Sequence, residues 1–231
     1  MARSHSAANL RGTIGGYTFV KSRVYGDHVR ARRGTYKRAE VNDAFKKEST
    51  LLLRANIPAK ILKDAIEPYR RNLSGGMLWQ RLVSMFREQL KTKGSFDFAS
   101  LEPFEIHKDY PFDRFLQVAS AIKPDKKKNK LRVDINYPRH PTFKKVKDVD
   151  GYRLTVIGIF PDQKKKTAWT ASVESELIEL TSAIAPMAAQ LDVPKNAKSY
   201  IVCIRIEGYF GRTACKMRTT TGLRVVGAGR L

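Results

Sequence analysis

The residues best equipped for chemistry in this chain are cations set between aromatic and β-branched side chains. From Leu10 to Lys47 ten Lys or Arg stand against three acidic residues, and Lys21, Arg23, Arg30, Arg32 and Arg33 are interleaved with Tyr17, Phe19, Val24, Tyr25 and Val29. That spacing has the period of strands with one apolar and one cationic face. Guanidinium and ammonium groups held on a folded surface contact phosphate, and most of the resulting affinity comes from released counterions. Arg11, Lys37 and Arg38 extend the same field. The predicted element is a hairpin over 16–23 and 28–33, turned at Tyr25-Gly26-Asp27, where glycine tolerates positive φ and aspartate can bond its own backbone. Its outer strands are unpaired and so are templates for another chain. Gly15, Gly16, Tyr17 and Phe19 are therefore the expected subunit contact, the glycine pair letting the backbone bend or approach a neighbour closely.

Three further cationic tracts lie downstream: Lys126, Lys127 and Lys128 within KPDKKKNK, Lys144 and Lys145 within KKVK, and Lys164, Lys165 and Lys166. Read as solvated hairpin tips they do nothing specific. Read functionally they supply diffuse positive potential for phosphate, with no sequence information. Arg205, Arg212, Arg218, Arg224 and Arg230 lie in or beside predicted strands, where a planar guanidinium can bind phosphate bidentately or pair across an interface.

Catalytic patterns are absent. The chain has no GxSxG, GxxxxGK[ST] or HExxH and no GxGxxG after a strand. His5, His28, His107 and His140 occur singly and read as turn or surface residues rather than ligands. Asp162-Gln163-Lys164, with Asp148 or Asp150 upstream, has the acidic-x-Lys ending of metal-dependent nucleases, but it leads a Lys-rich tip and a plain turn is the preferred reading. Cys203 and Cys215 make neither a disulfide framework nor a metal cluster and are expected to be unbridged. No catalytic residue, metal or cofactor is expected.

The elements that must position the cations follow from totals and periodicity. The chain has 231 residues, 42% apolar, with a net charge of +22. It is long enough for a substantial core, and the charge sets self-repulsion against compaction unless a polyanion relieves it. After the first forty residues the apolar period becomes helical. One helix is predicted from an Asn42 cap to Arg54 and a second from Pro58, ended or kinked by Pro68. A third, over 77–91, carries Leu78, Trp79, Leu82, Val83, Phe86 and Leu90 as a broad stripe. Pro68 and Gly75-Gly76 imply a longer connection than a helix-turn-helix uses, so the stripes are expected to pack on each other and on the hairpin or the C-terminal part.

Beyond a linker with a short edge strand at 104–107, strands are predicted at 114–119, 130–137, 152–160, 166–173, 187–193, 199–210 and 223–227, with a helical turn or two within 174–184. The fold class is α+β: an N-terminal β-hairpin and small helical layer, then an antiparallel β-sandwich of the immunoglobulin or fibronectin kind without the Cys-Trp-Cys signature. The segments are an arm and hairpin over 1–40, helices over 41–93, a linker over 94–111 and the sandwich over 112–231. No signal-like or membrane-spanning apolar run is read, so the expectation is a soluble protein, cytoplasmic or within a larger particle.

The opening MARS, the GTIGGYTFVKSR segment, the YGD turn followed by VRARRG, the helical stretch and the closing GLRVVGAGRL resemble a family of uncharacterised proteins found widely in Bacteroidota. The likeness covers the first fifty residues best, and the rest only in order of elements. It implies architecture and no chemistry. The expected function is that of a non-enzymatic basic structural protein, a homo-oligomer or larger assembly binding nucleic acid through its backbone. The rivals are a self-assembling, virion-type protein whose positive surface meets acidic subunits, and a metal-dependent nuclease.

Overall fold

Alternation over 12–31 folds as a three-stranded antiparallel sheet rather than a two-stranded hairpin: β1 (Gly12–Ile14), β2 (Tyr17–Ser22) and β3 (Gly26–Ala31), in that order. The computed structural model describes residues 11–22, 26–32, 42–70, 72–73, 77–101, 103–107, 110–125, 127–143, 146 and 148–231. Gly15-Gly16 closes the β1–β2 hairpin, with Gly15 at φ +58°, a conformation that a side chain would strain. The glycine pair is thus a turn, and an added Cβ at either position meets nothing within 4 Å. Gly26 and Asp27 already pair with Ser22 and Lys21. The connection between β2 and β3 is therefore made by 23–25, earlier than the predicted turn and outside the described residues.

The chain divides into two compact units, Met1–Lys46 and Lys47–Leu231. The Asn42 side chain accepts the Phe45 backbone N–H at 2.8 Å, as expected of an N-cap. The predicted break before Pro58 does not occur, because α1 runs from Asp43 to Ile66 with Pro58 inside it. Proline there forgoes its own backbone bond to the Arg54 carbonyl, a cost of about 3 kcal/mol. Burial of Ala55, Pro58, Ala59, Ile61, Leu62 and Ile66 along one stripe offsets it. The helix does end before Pro68, which sits in a single 3-10 turn, Glu67–Tyr69. α2, Leu78–Lys93, buries Leu78, Leu82, Val83, Phe86 and Leu90 and stops at Gly94, whose N–H bonds the Leu90 carbonyl at 3.0 Å.

The remainder is strands: β4 (Phe104–Glu105), β5 (Ala119–Asp125), β6 (Lys130–Asn136), β7 (Gly151–Asp162), β8 (Thr167–Glu174), β9 (Ile178–Glu179), β10 (Met187–Asp192), β11 (Ser199–Phe210), β12 (Thr213–Ala214) and β13 (Thr221–Arg230). They form an antiparallel sheet of order β4-β13-β11-β7-β8, with β9 on β7 and β12 on β11, and a smaller one of order β10-β6-β5. The fold is α+β, a few helices with several antiparallel sheets. Two of the predicted elements differ. The strand over 114–119 is instead a helical turn, Phe112–Arg114, followed by buried Phe115 and Leu116, and β5 begins only at Ala119. The span 174–184 holds β9 and no helical turn.

Alternate residues of the long central strands explain the layering. Ile157, Ile159, Ile201, Cys203, Leu223 and Val225 share one core with the buried stripes of α1 and α2. Leu154, Val156, Val202, Ile204 and Ile206 face the other way and share a second core with Leu131, Val133, Ile135, Ala189 and Leu191 of the small sheet. The helices thus cover one face of the large sheet and the small sheet covers the other. A methyl group on Gly227 would stand 2.7 Å from Ile122 Cδ1, and one on Gly158 2.9 Å from Leu191 Cδ1, so the two sheets meet closely there.

Glu105 in β4 supplies a stability prediction. Its Oε2 accepts the Phe112 N–H at 2.9 Å, and Arg224 Nε lies 3.4 Å from its Oε1. Burial pushes this carboxyl up, against the backbone bond and the Arg224 charge. Because the folded value is raised, the folded state holds the proton more tightly, and stability falls as pH climbs from the ordinary 4.5 through the raised value. In urea titrations through that window Glu105→Gln should show a flatter decline than the native chain; equal slopes would remove Glu105 as the cause.

Candidate nucleic-acid interface

Two of the cationic tracts share one design. In 125–130 the Asp125 Oδ1 accepts the backbone N–H groups of Lys127 and Lys128 at 3.1 and 3.2 Å, and Asn129 takes φ +50° before β6 begins. In 162–167 the Asp162 Oδ1 accepts those of Lys164 and Lys165 at 3.0 and 3.1 Å, and Lys166 takes φ +55° before β8 begins. Each aspartate spends its acceptor capacity on the turn and the lysines project outward. Asp162 therefore acts as a turn residue, and no group of three or more His, Cys, Asp or Glu suited to a metal occurs among the described residues.

Strand direction brings the two tips to one end of the paired sheets. β10 runs antiparallel to β6 with Asp192 opposite Lys130, and the Val193 N–H reaches the Asn129 carbonyl at 2.9 Å, so the chain leaving β10 starts beside the first tip. It carries Lys195 and Lys198, both exposed, into β11. At the start of β11, Ser199 pairs with Arg230 and the Leu231 N–H bonds the Lys198 carbonyl at 3.1 Å. Two residues further along, Ile201 pairs with Ile159, from which β7 continues past this end to the second tip. Ile122 over Gly227 and Leu191 over Gly158 align the two sheets in the same sense.

The end so assembled gathers Lys127, Lys128, Lys164, Lys165, Lys166, Lys195 and Lys198, all exposed and none ion-paired with a carboxylate among the described residues. Lys130 and Arg230 are also here but are paired, Lys130 with Asp192 and Arg230 with Asp97 at 2.9 Å. The outer face of the small sheet is less suited to phosphate, since Arg132 is held by Asp134 at 2.9 Å and Lys123 stands opposite Arg132 over a recess of about 240 Å³ that also contains Asp125.

The other expected positions distribute as follows. In the N-terminal sheet the register sets Ile14, Tyr17, Phe19, Val29 and Ala31 on one face, with Thr18, Val20, His28 and Arg30 on the other. Lys21 breaks the pattern: it shares the apolar face and sits opposite Asp27. Arg11, Arg30 and Arg32 are exposed. Arg23, Arg33, Lys37, Arg38, Lys126, Lys144 and Lys145 lie outside the described residues. Of the strand arginines, Arg205 is bound to Glu207 at 2.7 Å and Arg224 to Asp113 and Glu105, so these hold the fold rather than face a ligand; Arg212 and Arg218 are exposed.

Two of the histidines expected at turns or the surface are structural. His107 is buried, its Nδ1 accepting the Tyr110 N–H at 3.0 Å. His140 sits between the Tyr152 hydroxyl at 3.2 Å and the Ser182 carbonyl at 2.8 Å. Cys203 and Cys215 are unbridged, and burial pushes the Cys203 thiol up to about 12. Denatured protein should therefore titrate two thiols, while native protein at pH 8 leaves Cys203 unmodified over hours; rapid native modification of Cys203 would contradict its place between helices and sheet.

Compared with family models, curated proteins and solved structures, the chain matches none. No helix among the described residues is long and apolar enough to cross a membrane. Sequence reasoning missed Lys195, Lys198 and the exposed Trp169 as neighbours of the tips. The pairing of β10 with β6, residues some sixty apart, brings Lys195 and Lys198 beside the first tip, whereas Trp169 follows the second tip by three positions and is left exposed at the sheet edge.

Proposed function

We propose that the protein is a non-enzymatic, basic structural protein that binds nucleic acid through its phosphates, with the lysine-rich end of the paired sheets as the principal contact. One observation carries the reading: two hairpin tips of the same construction and the loop between β10 and β11 bring to one end seven exposed lysines that have no carboxylate partner among the described residues. Ammonium groups spread over such an end contact a backbone without reading bases. The packing of the small sheet on the large one supports the sandwich reading of the strand-rich part; the finer immunoglobulin-like assignment rests on strand number. The test is binding of a labelled oligonucleotide followed against salt. A slope of log affinity on log salt equivalent to several phosphates is expected, and no binding at low salt would end the proposal.

A second reading, assembly through the N-terminal sheet, is favoured by one feature. Ile14 and Tyr17 are each 61% exposed and Val29 51%, on one face of a sheet whose outer strands β1 and β3 are unpaired among the described residues. Removing residues 1–33 should leave Lys47–Leu231 folded, because both cores lie within it, and should lower the sedimentation coefficient to that of a monomer. A truncated chain that sediments as large an assembly as the intact one would exclude this surface.

A further inference from the structure

Resting on that phosphate-binding reading, we infer that the lysine-rich end binds single-stranded rather than double-stranded nucleic acid, with Trp169 as the platform on which a base stacks. The residue stands in β8, three positions after the Lys164–Lys166 tip, and pairs across the strands with Phe160. Along β8 the residues on the same face, Ala171 and Val173, pack into the core shared with the small sheet. Trp169 is the apolar member of that row nearest the tip, with only Thr167 before it. Leu191 of the small sheet comes down over Gly158, which pairs with Ala171, one step short of it. The indole is left 45% exposed while Phe160, directly opposite, is 2% exposed.

The ring is also held. Its centroid lies 5.6 Å from that of Phe160, with 46° between the planes, so a buried aromatic ring supports one side of the indole. An edge strand of a soluble sheet ordinarily carries polar or charged residues at such a position. A large aromatic surface held against a buried ring, partly exposed and three positions from the cationic tip, has the two components of single-strand recognition. Lysines follow the backbone and an aromatic ring takes a base. Bases within a duplex are stacked on one another and offer no free face, so the indole adds nothing to duplex affinity and discriminates between the two forms.

The experiment uses the full chain with Trp79→Phe, so that Trp169 alone reports by fluorescence, and an oligothymidine of about 15 nucleotides. Expected are quenching on binding, and tighter binding of the single strand than of a duplex of equal length. Trp169→Ala should weaken single-strand binding by about 5- to 100-fold and leave duplex binding and the salt slope within twofold of the starting protein. Trp169→Phe should recover most of the loss, and its unfolding midpoint serves to show that the sheet edge is intact. If single strand and duplex bind alike and Trp169→Ala changes neither, the stacking inference falls while the phosphate reading stands. If neither binds at low salt, both fall.

Discussion

Replacing Lys127, Lys128, Lys164 and Lys165 by Gln and Lys166 by Asn in one chain is expected to weaken oligonucleotide binding at least about a hundredfold near 0.1 M salt. The salt slope should fall by roughly 3.5 to 4.5 units if each lysine meets one phosphate, at about 0.7 per contact on a single strand and 0.9 on a duplex. The substitutions leave the turns alone, because Asp125 and Asp162 bond backbone N–H groups rather than lysine side chains. Asparagine is chosen at 166 because φ there is +55°, which it tolerates better than glutamine. The matched variant is Arg30→Gln with Arg32→Gln, on the separate N-terminal unit. A loss of two contacts or fewer is expected from it. If the arginine pair costs more affinity than the five lysines, the principal interface is the N-terminal sheet and the reading of the lysine-rich end of the paired sheets is wrong.

The sequence carried those two lysine tracts as hairpin tips, and they are tips. What it did not carry was that they share an end. A tip is local, defined by Asp, Asn and a change of strand, whereas the meeting of two tips depends on β10 pairing with β6 and on one sheet lying over another. The same distinction holds for the layers. Tyr152 to Phe160 and Tyr200 to Ile206 are apolar on both faces, which requires cover on both, and both strands are central in the large sheet. The identity of the cover was not readable, since the stripes of α1 and α2 fit a hairpin, each other or a sheet equally well. Pro58 misled for a related reason: its local cost was legible and the buried stripe that outweighs it was not. Trp169 alternates with Ala168 and Thr170 as a core residue would, and only its place on an edge strand beside the end of the small sheet leaves it exposed.

Phe86→Ala is expected to give the largest loss of stability of any single change considered. Phe86 is fully buried in α2, and its ring meets Phe98 edge-on at 5.5 Å and Phe96 at 6.1 Å, within the core that joins the helices to the large sheet. Truncating it removes the transfer energy of the ring and leaves a cavity, together about 3–5 kcal/mol. For a chain of this length that lowers the unfolding midpoint by roughly 6–20 °C. The effect on binding separates the two faces of the sheet. Phe98 opens the 3-10 turn beside Asp97, whose carboxylate holds Arg230 at 2.9 Å, so loosening this core frees that arginine at the basic end. The lysine tips belong to strands whose other core, around Leu154, Val156, Val202 and Leu191, Phe86 does not touch. Well below its midpoint the variant should therefore bind oligonucleotide within about threefold of the native chain, slightly tighter if Arg230 becomes available. Binding that weakens in step with stability, at temperatures where circular dichroism reports a folded chain, would mean that the helix layer helps to position the lysines and that the interface is not confined to the sheet end.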